Sequence, residues 1–355
     1  MKTSSLLQRR NGIYAAIIAV LVIAGFFVVR GMFSPQEKSI SLYNYLVGHS
    51  LDALSLQVDM QSIYDKDSSD LLGTLQWVED DGKEVSLPLE VTTRGNNRLG
   101  LCIFPPLKLK AMPNEALATG KTSMKLVSHC VEGAGEPLLL REYLAYQLYA
   151  SLTEASFRTH LIRITYTDSR GNYEPVENWA FLIEPTKDLK ARLDAEKMDK
   201  EAELHAISAA DYNRFAVFQF MIGNTDWNLE KQHNVKMLFA GPDDLPVPVP
   251  YDFDRSGLVN APYAIPHSML PINTVQDRFF QWRGKDRSQL KPVLDEFRAC
   301  KERLIGVCQQ FEMLSEKDRE DVVQYLEEFF LKMDILLSEE RSMAHKDPLK
   351  VEEIS

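Results

Sequence analysis

Two alternating runs constrain this chain before anything else. Leu54, Leu56, Val58 and Met60 alternate with Ser55, Gln57 and Asp59, and Val85, Leu87, Leu89 and Val91 alternate with Ser86, Pro88 and Glu90. Side chains two apart on a strand share a face, so each run predicts a half-buried strand. Residues 72–78 predict another, closed by Asp80-Asp81-Gly82, a hairpin signal. The first third reads as an antiparallel β meander, with further strands at 107–110 and 124–127. At 138–152 the period changes to helical, with Leu140, Tyr143, Leu144, Gln147 and Leu148 on one stripe. Strands return at 161–167 and 179–183 around the turn Ser169-Arg170-Gly171-Asn172.

Beyond residue 188 helices dominate. A charged helix is expected over 189–204, an apolar one from an Asp211 N-cap to Gly223, and amphipathic ones at 290–311 and 315–337. Between them Val235, Met237 and Phe239 face Val247 and Val249 across a turn at Gly241-Pro242-Asp243-Asp244. The fold class expected is α+β and bilobed, laid out like a protein kinase: a β-rich lobe over 51–185, a helical lobe over 186–340, and a polar tail over 341–355.

Residues 13–29 (IYAAIIAVLVIAGFFVV) carry no charge and lie between Arg9-Arg10 and Arg30. This predicts one transmembrane helix or signal anchor over 13–30, after a cytoplasmic basic segment 1–12 and before a linker 31–50. The folded domain is then expected outside the cytoplasm, tethered to the cytoplasmic membrane; a cleaved signal peptide is the rival reading. The chain carries −11 overall and four basic residues within its first thirty, leaving −15 on the remainder. A body that acidic is a poor general nucleic-acid binder. Of the four cysteines, Cys300 and Cys308 fall about 12 Å apart on one helix and cannot bridge. Pairing of Cys102 with Cys130 stays open, and no spacing suits a zinc site.

The densest polar cluster joins residues 223–228, 232–234 and 251–257, each at the end of an apolar element. Pairing the hairpin about its turn makes partner indices sum to about 485, which sets Asn234 opposite Tyr251, or opposite Asp252 after a one-residue shift. Only the shifted register points Asn234 and Asp252 at one spot. Phosphoryl transfer uses such a grouping: oxygen ligands for Mg²⁺ beside nucleotide phosphates, and a separate carboxylate, Asp226, to accept the proton of an attacking hydroxyl. The competing reading makes Asp226 a cap and lets Asp252 and Asp254 bound a turn.

Arg94-Gly95-Asn96, the stretch from Asn172-Tyr173 to Glu184, Gly223-Asn224-Thr225-Asp226-Trp227 and Tyr251-Asp252-Phe253-Asp254 together resemble successive blocks of CotH-type kinases, the spore-coat family. More distantly they are similar to secretory-pathway kinases that phosphorylate casein-like proteins. The resemblance spans about 51–257. It implies Asp226 as the catalytic carboxylate, Asn234 as a second metal ligand, Asp252 as the metal-binding aspartate and Asp254 as its fallback. Lys108 or Lys110 is then the phosphate lysine with Glu142 as its ion-pair partner, Arg94 a phosphate clamp, and 182–185, with Glu184, the segment that meets adenine. The chain lacks both G-x-G-x-x-G and H-R-D. The function implied is transfer of phosphate from ATP, with Mg²⁺ or Mn²⁺, to a protein or envelope acceptor. The alternatives are a catalytically silent envelope-binding protein and a metal-dependent phosphohydrolase.

Overall fold

The computed structural model of the protein describes residues 39–337, apart from 68, 96–97, 118, 132–134, 199–205, 242–243 and 285, together with 351–352. Helix α1 (Leu42–Gly48) leads into strand β1 (Ala53–Val58) and the short α2 (Met60–Tyr64). The meander follows: β2 (Leu71–Val78), β3 (Glu84–Thr93), the short α3 (Arg98–Leu101), β4 (Leu107–Ala111) and β5 (Thr122–Val127). After α4 (Gly135–Ala150) the hairpin β6 (Thr159–Asp168) and β7 (Val176–Ile183) completes the sheet.

These strands close into a barrel of order β1-β2-β3-β4-β5-β7-β6. Six of its neighbouring pairs are antiparallel, and the closing seam is parallel, running from Ala53 opposite Arg163 to Val58 opposite Asp168. Alternation puts Leu54, Leu56, Leu87, Leu89, Leu107, Leu109 and Ile164 inside one apolar core. Burying each such side chain contributes roughly 1.5–3 kcal/mol.

The second core is helical. Chain order continues with α5 (Thr186–Arg192), the short strands β8 (Glu196–Lys197) and β9 (Ile207–Ser208), α6 (Ala209–Met221), the hairpin β10 (Val235–Phe239) and β11 (Val247–Pro250), α7 (Lys291–Gln309) and α8 (Glu316–Lys332). Helix α6 is buried on nearly every side, by α4, α7 and β11 among others. Val351–Glu352, as β12, adds parallel to β9.

Several expectations are corrected. The bilobed kinase-like layout gives way to a closed seven-stranded mixed barrel plus helices, because β1 pairs with β6 as well as β2. Period-two alternation shows a strand's faces and says nothing about which distant strand shares its edge. Residues 13–30 lie outside the described residues, and among those described no helix is long and apolar enough to cross a membrane. The described residues therefore give the expected single-pass anchor, and the extracytoplasmic placement that rests on it, no support. Ordered structure begins before residue 51, since Leu42, Tyr43 and Leu46 of α1 are buried in the barrel core. The helix expected over 189–204 is the seven-residue α5 followed by β8, an edge strand on β10. Ser208 rather than Asp211 stands at the N-cap of α6, and Asp211 pairs with Arg214 one turn on.

Cys102 and Cys130 form a disulfide, tying the segment after α3 to the end of β5. His129 beside it stacks on Phe104 at 4.9 Å between ring centroids. Reducing this 28-residue link is expected to lower stability by about 3.5 kcal/mol, read as a fall in unfolding midpoint with reductant that Cys102→Ser already shows without it. Burial pushes the His129 imidazole down to about 4 from 6.5. The unfolded chain then takes up this proton first, so the contribution of neutral His129 is complete above about 6.5 and is lost as pH falls toward 4. Denaturation of wild type and His129→Phe across that window should diverge toward acid; parallel profiles would contradict this.

Candidate functional site

The loop after β11 carries two aspartates around a buried phenylalanine. The Phe253 ring packs edge-on against Tyr146 at 4.7 Å and Phe218 at 5.7 Å, which pins the loop to the helical core. The Asp252 N–H donates to the Tyr146 hydroxyl at 2.9 Å. Asp252 holds φ +64°, and Gln232 and Asn234 at the start of the hairpin hold +45° and +53°. Non-glycine residues occupy this left-handed region at a cost of about 1 kcal/mol each, and such strain concentrates at functional sites.

Glu142 on α4 reaches the same place. One carboxylate oxygen from each of Glu142, Asp252 and Asp254 lies within 4.8 Å of the other two. Glu142 and Asp254 are buried. Three hard oxygen donors of this kind fit Mg²⁺ or Mn²⁺.

A pocket lined by Arg94, Lys108, Lys125, Ile183, Glu184 and Tyr251 adjoins the cluster through the Tyr251–Asp252 peptide. Lys108 and Lys125 are direct cross-strand partners on β4 and β5. Like charges so placed disfavour the sheet. The Lys125 ammonium sits 4.5 Å from the Tyr251 ring centroid.

Asp226 lies on the loop after α6. Its N–H donates to Asn224 Oδ1 at 3.0 Å, and Trp227, packed edge-on against Phe215 at 4.8 Å, donates its indole N–H to the Asn224 carbonyl. Around its carboxylate stand His233 Nε2 at 3.0 Å, Asn234 Nδ2 at 3.1 Å and Arg255 Nε at 3.8 Å. Arg255 follows Asp254, and Gly257 N–H donates to the Gly223 carbonyl at 3.1 Å, so the two aspartate loops are joined.

Several expected roles change. The hairpin takes the unshifted register, Val235 opposite Pro250, and Tyr251 N–H donates to the Asn234 carbonyl. Asn234 accordingly braces Asp226 through its amide nitrogen, instead of meeting Asp252 by strand pairing. Lys110 leaves the pocket to pair with Glu90 of β3, while Lys108 lines it. Glu142 gathers with the aspartates. Arg94 lines the pocket. Glu184 lines it too, yet its carboxylate is bound by Arg192 at 2.9 Å and its N–H by the Arg158 carbonyl. Lys125 was not foreseen; a lone lysine among the apolar residues of β5 was its only signal.

No family model matches the chain, and no curated protein matches it. The kinase, CotH and transmembrane descriptions therefore gain no support from relatives or from the barrel.

Glu184 is almost fully buried, so removing Arg192 leaves an uncompensated charge beside the pocket. Arg192→Ala should destabilise the protein by about 3–5 kcal/mol in denaturant titrations, while Arg192→Ala/Glu184→Gln recovers much of the loss.

Proposed function

We propose that the protein is a divalent-metal-dependent phosphoryl-transfer enzyme that takes a nucleoside triphosphate such as ATP as donor. The observation that carries this is the adjacency of two like-charge clusters of opposite sign: three carboxylates within 4.8 Å, and a pocket holding Arg94, Lys108 and Lys125. Each cluster gathers groups of like charge, and a polyphosphate with its metal ion complements both.

Glu142, Asp252 and Asp254 would hold Mg²⁺ or Mn²⁺, whose contribution is to offset charge on the phosphate oxygens. Arg94, Lys108 and Lys125 bind and orient the phosphates by charge-assisted hydrogen bonds. The apolar wall of Met124, Phe157 and Ile183 suits a planar base. Asp226, held by His233, Asn234 and Arg255, is the carboxylate left to accept a proton. In the transfer, the bond from γ-phosphorus to the leaving β-phosphate oxygen breaks, the acceptor hydroxyl oxygen forms the new bond, and its proton passes to Asp226.

The test is a thermal shift of the full chain with ATP, with and without Mg²⁺ or Mn²⁺. With metal present, ATP at 100 times its Kd should add about 2.7 kcal/mol beyond the shift from metal alone, and Asp252→Ala should lose that gain. Absence of any metal-dependent shift in wild type sinks the reading.

A further inference from the structure

Tyr251 lines the pocket and collects more cationic contact than any single ring needs for packing. Lys125 Nζ lies 4.5 Å and Lys236 Nζ 4.8 Å from its centroid. Lys236 also donates a hydrogen bond to the phenol oxygen at 3.2 Å. Phe157, another pocket residue, meets the ring edge-on at 5.8 Å. The main chain is fixed as well, by Tyr251 N–H to the Asn234 carbonyl at 3.0 Å, and the next residue is Asp252 of the carboxylate cluster.

From this arrangement we propose that Tyr251 is a positioning residue that sets the Lys125 ammonium for the phosphates, with Lys236 locking the ring in place. It rests on the nucleotide reading above. A lysine side chain has four rotatable bonds and a strongly hydrated head, so it points nowhere in particular unless something holds it. The face of a tyrosine supplies such a hold through its π electrons while leaving the ammonium protons able to reach an anion. Arg94 and Asp252 also face Tyr251, one from the pocket and one from its own loop, so the ring stands where the cationic pocket meets the carboxylates. Lys236 acts on the other end of the phenol and is a support for the ring.

The ring face, more than the hydroxyl, is the working part, and this separates the proposal from a purely structural role. Binding of ATP with Mn²⁺, and of Mn²⁺ alone, is measured on the full chain for wild type, Tyr251→Leu and Tyr251→Phe. Tyr251→Leu should weaken ATP binding about threefold to thirtyfold, Tyr251→Phe should stay within about twofold, and binding of Mn²⁺ alone should be the same in all three. Equal ATP binding by Tyr251→Leu and wild type overturns the proposal, as does a Phe variant as weak as the Leu variant. Should Tyr251→Leu not fold, Tyr251→Met, which keeps an apolar side chain there without a π face, reads the same role: weaker ATP binding with unchanged Mn²⁺ binding supports it, and unchanged ATP binding overturns it. A wild type that binds Mn²⁺ but no ATP fails the nucleotide reading itself, and the positioning role falls with it.

Discussion

Like charges held close together govern the middle of this molecule. One carboxylate oxygen from each of Glu142, Asp252 and Asp254 lies within 4.8 Å of the other two. Ionised carboxylates at such a separation repel one another. The fold keeps them there with separate anchors. Glu142 rides on α4, whose Leu139, Leu140, Leu144 and Leu148 are buried. Asp252 and Asp254 flank Phe253, which is sunk between Tyr146 and Phe218. Across Tyr251, Lys108 faces Lys125 in the opposite sign of the same arrangement. Both clusters lie next to one pocket.

The location of that pocket follows from how the barrel closes. Strand β5 pairs with β7 and not with the β6 that follows it in sequence, because α4 intervenes and the β6–β7 hairpin returns to the sheet with β7 first. Lys125 is thereby set opposite Ile183, one residue before Glu184 and the exit toward the helical core. β6 is left to pair in parallel with β1, which removes the last open edge. The pocket sits where the strand ends meet the helical core, on backbone held by ladders on one side and by buried aromatic side chains on the other.

How much of this was legible in the sequence depends on the range of the interaction. Strands β2, β3, β6 and β7 and helix α4 are local patterns, and the hairpin register, with indices summing to 485, follows from its turn. The parallel seam joins residues about 110 apart, from Ala53 with Arg163 onward, and no local periodicity encodes such a pairing. Asp252 and Asp254 converge although Asp252 is left-handed and has left the strand. Lys125 looks like any solvated strand lysine until Lys108, Arg94 and Tyr251 surround it. Residue types and local periods are thus readable, whereas their assembly into one site depends on barrel closure.

The two aspartate loops owe their relative position to side chains that are not there. Gly257 N–H bonds the Gly223 carbonyl and Leu258 N–H the Ile222 carbonyl, a short ladder that holds the Asp226 loop against the Asp252–Asp254 loop. At Gly223, with φ +65°, a Cβ would come within 2.1 Å of the Tyr325 hydroxyl; at Gly257 it would come within 2.3 Å of the same atom. One tyrosine from α8 therefore closes over both glycines, and any side chain at either position must displace it or part the loops. Catalytic spacing tolerates little such movement, since a misplacement near 1 Å can cost about a hundredfold in rate. The distance between Asp226 and the carboxylate cluster is in this sense a property of α8 and two glycines, set by residues that touch neither group.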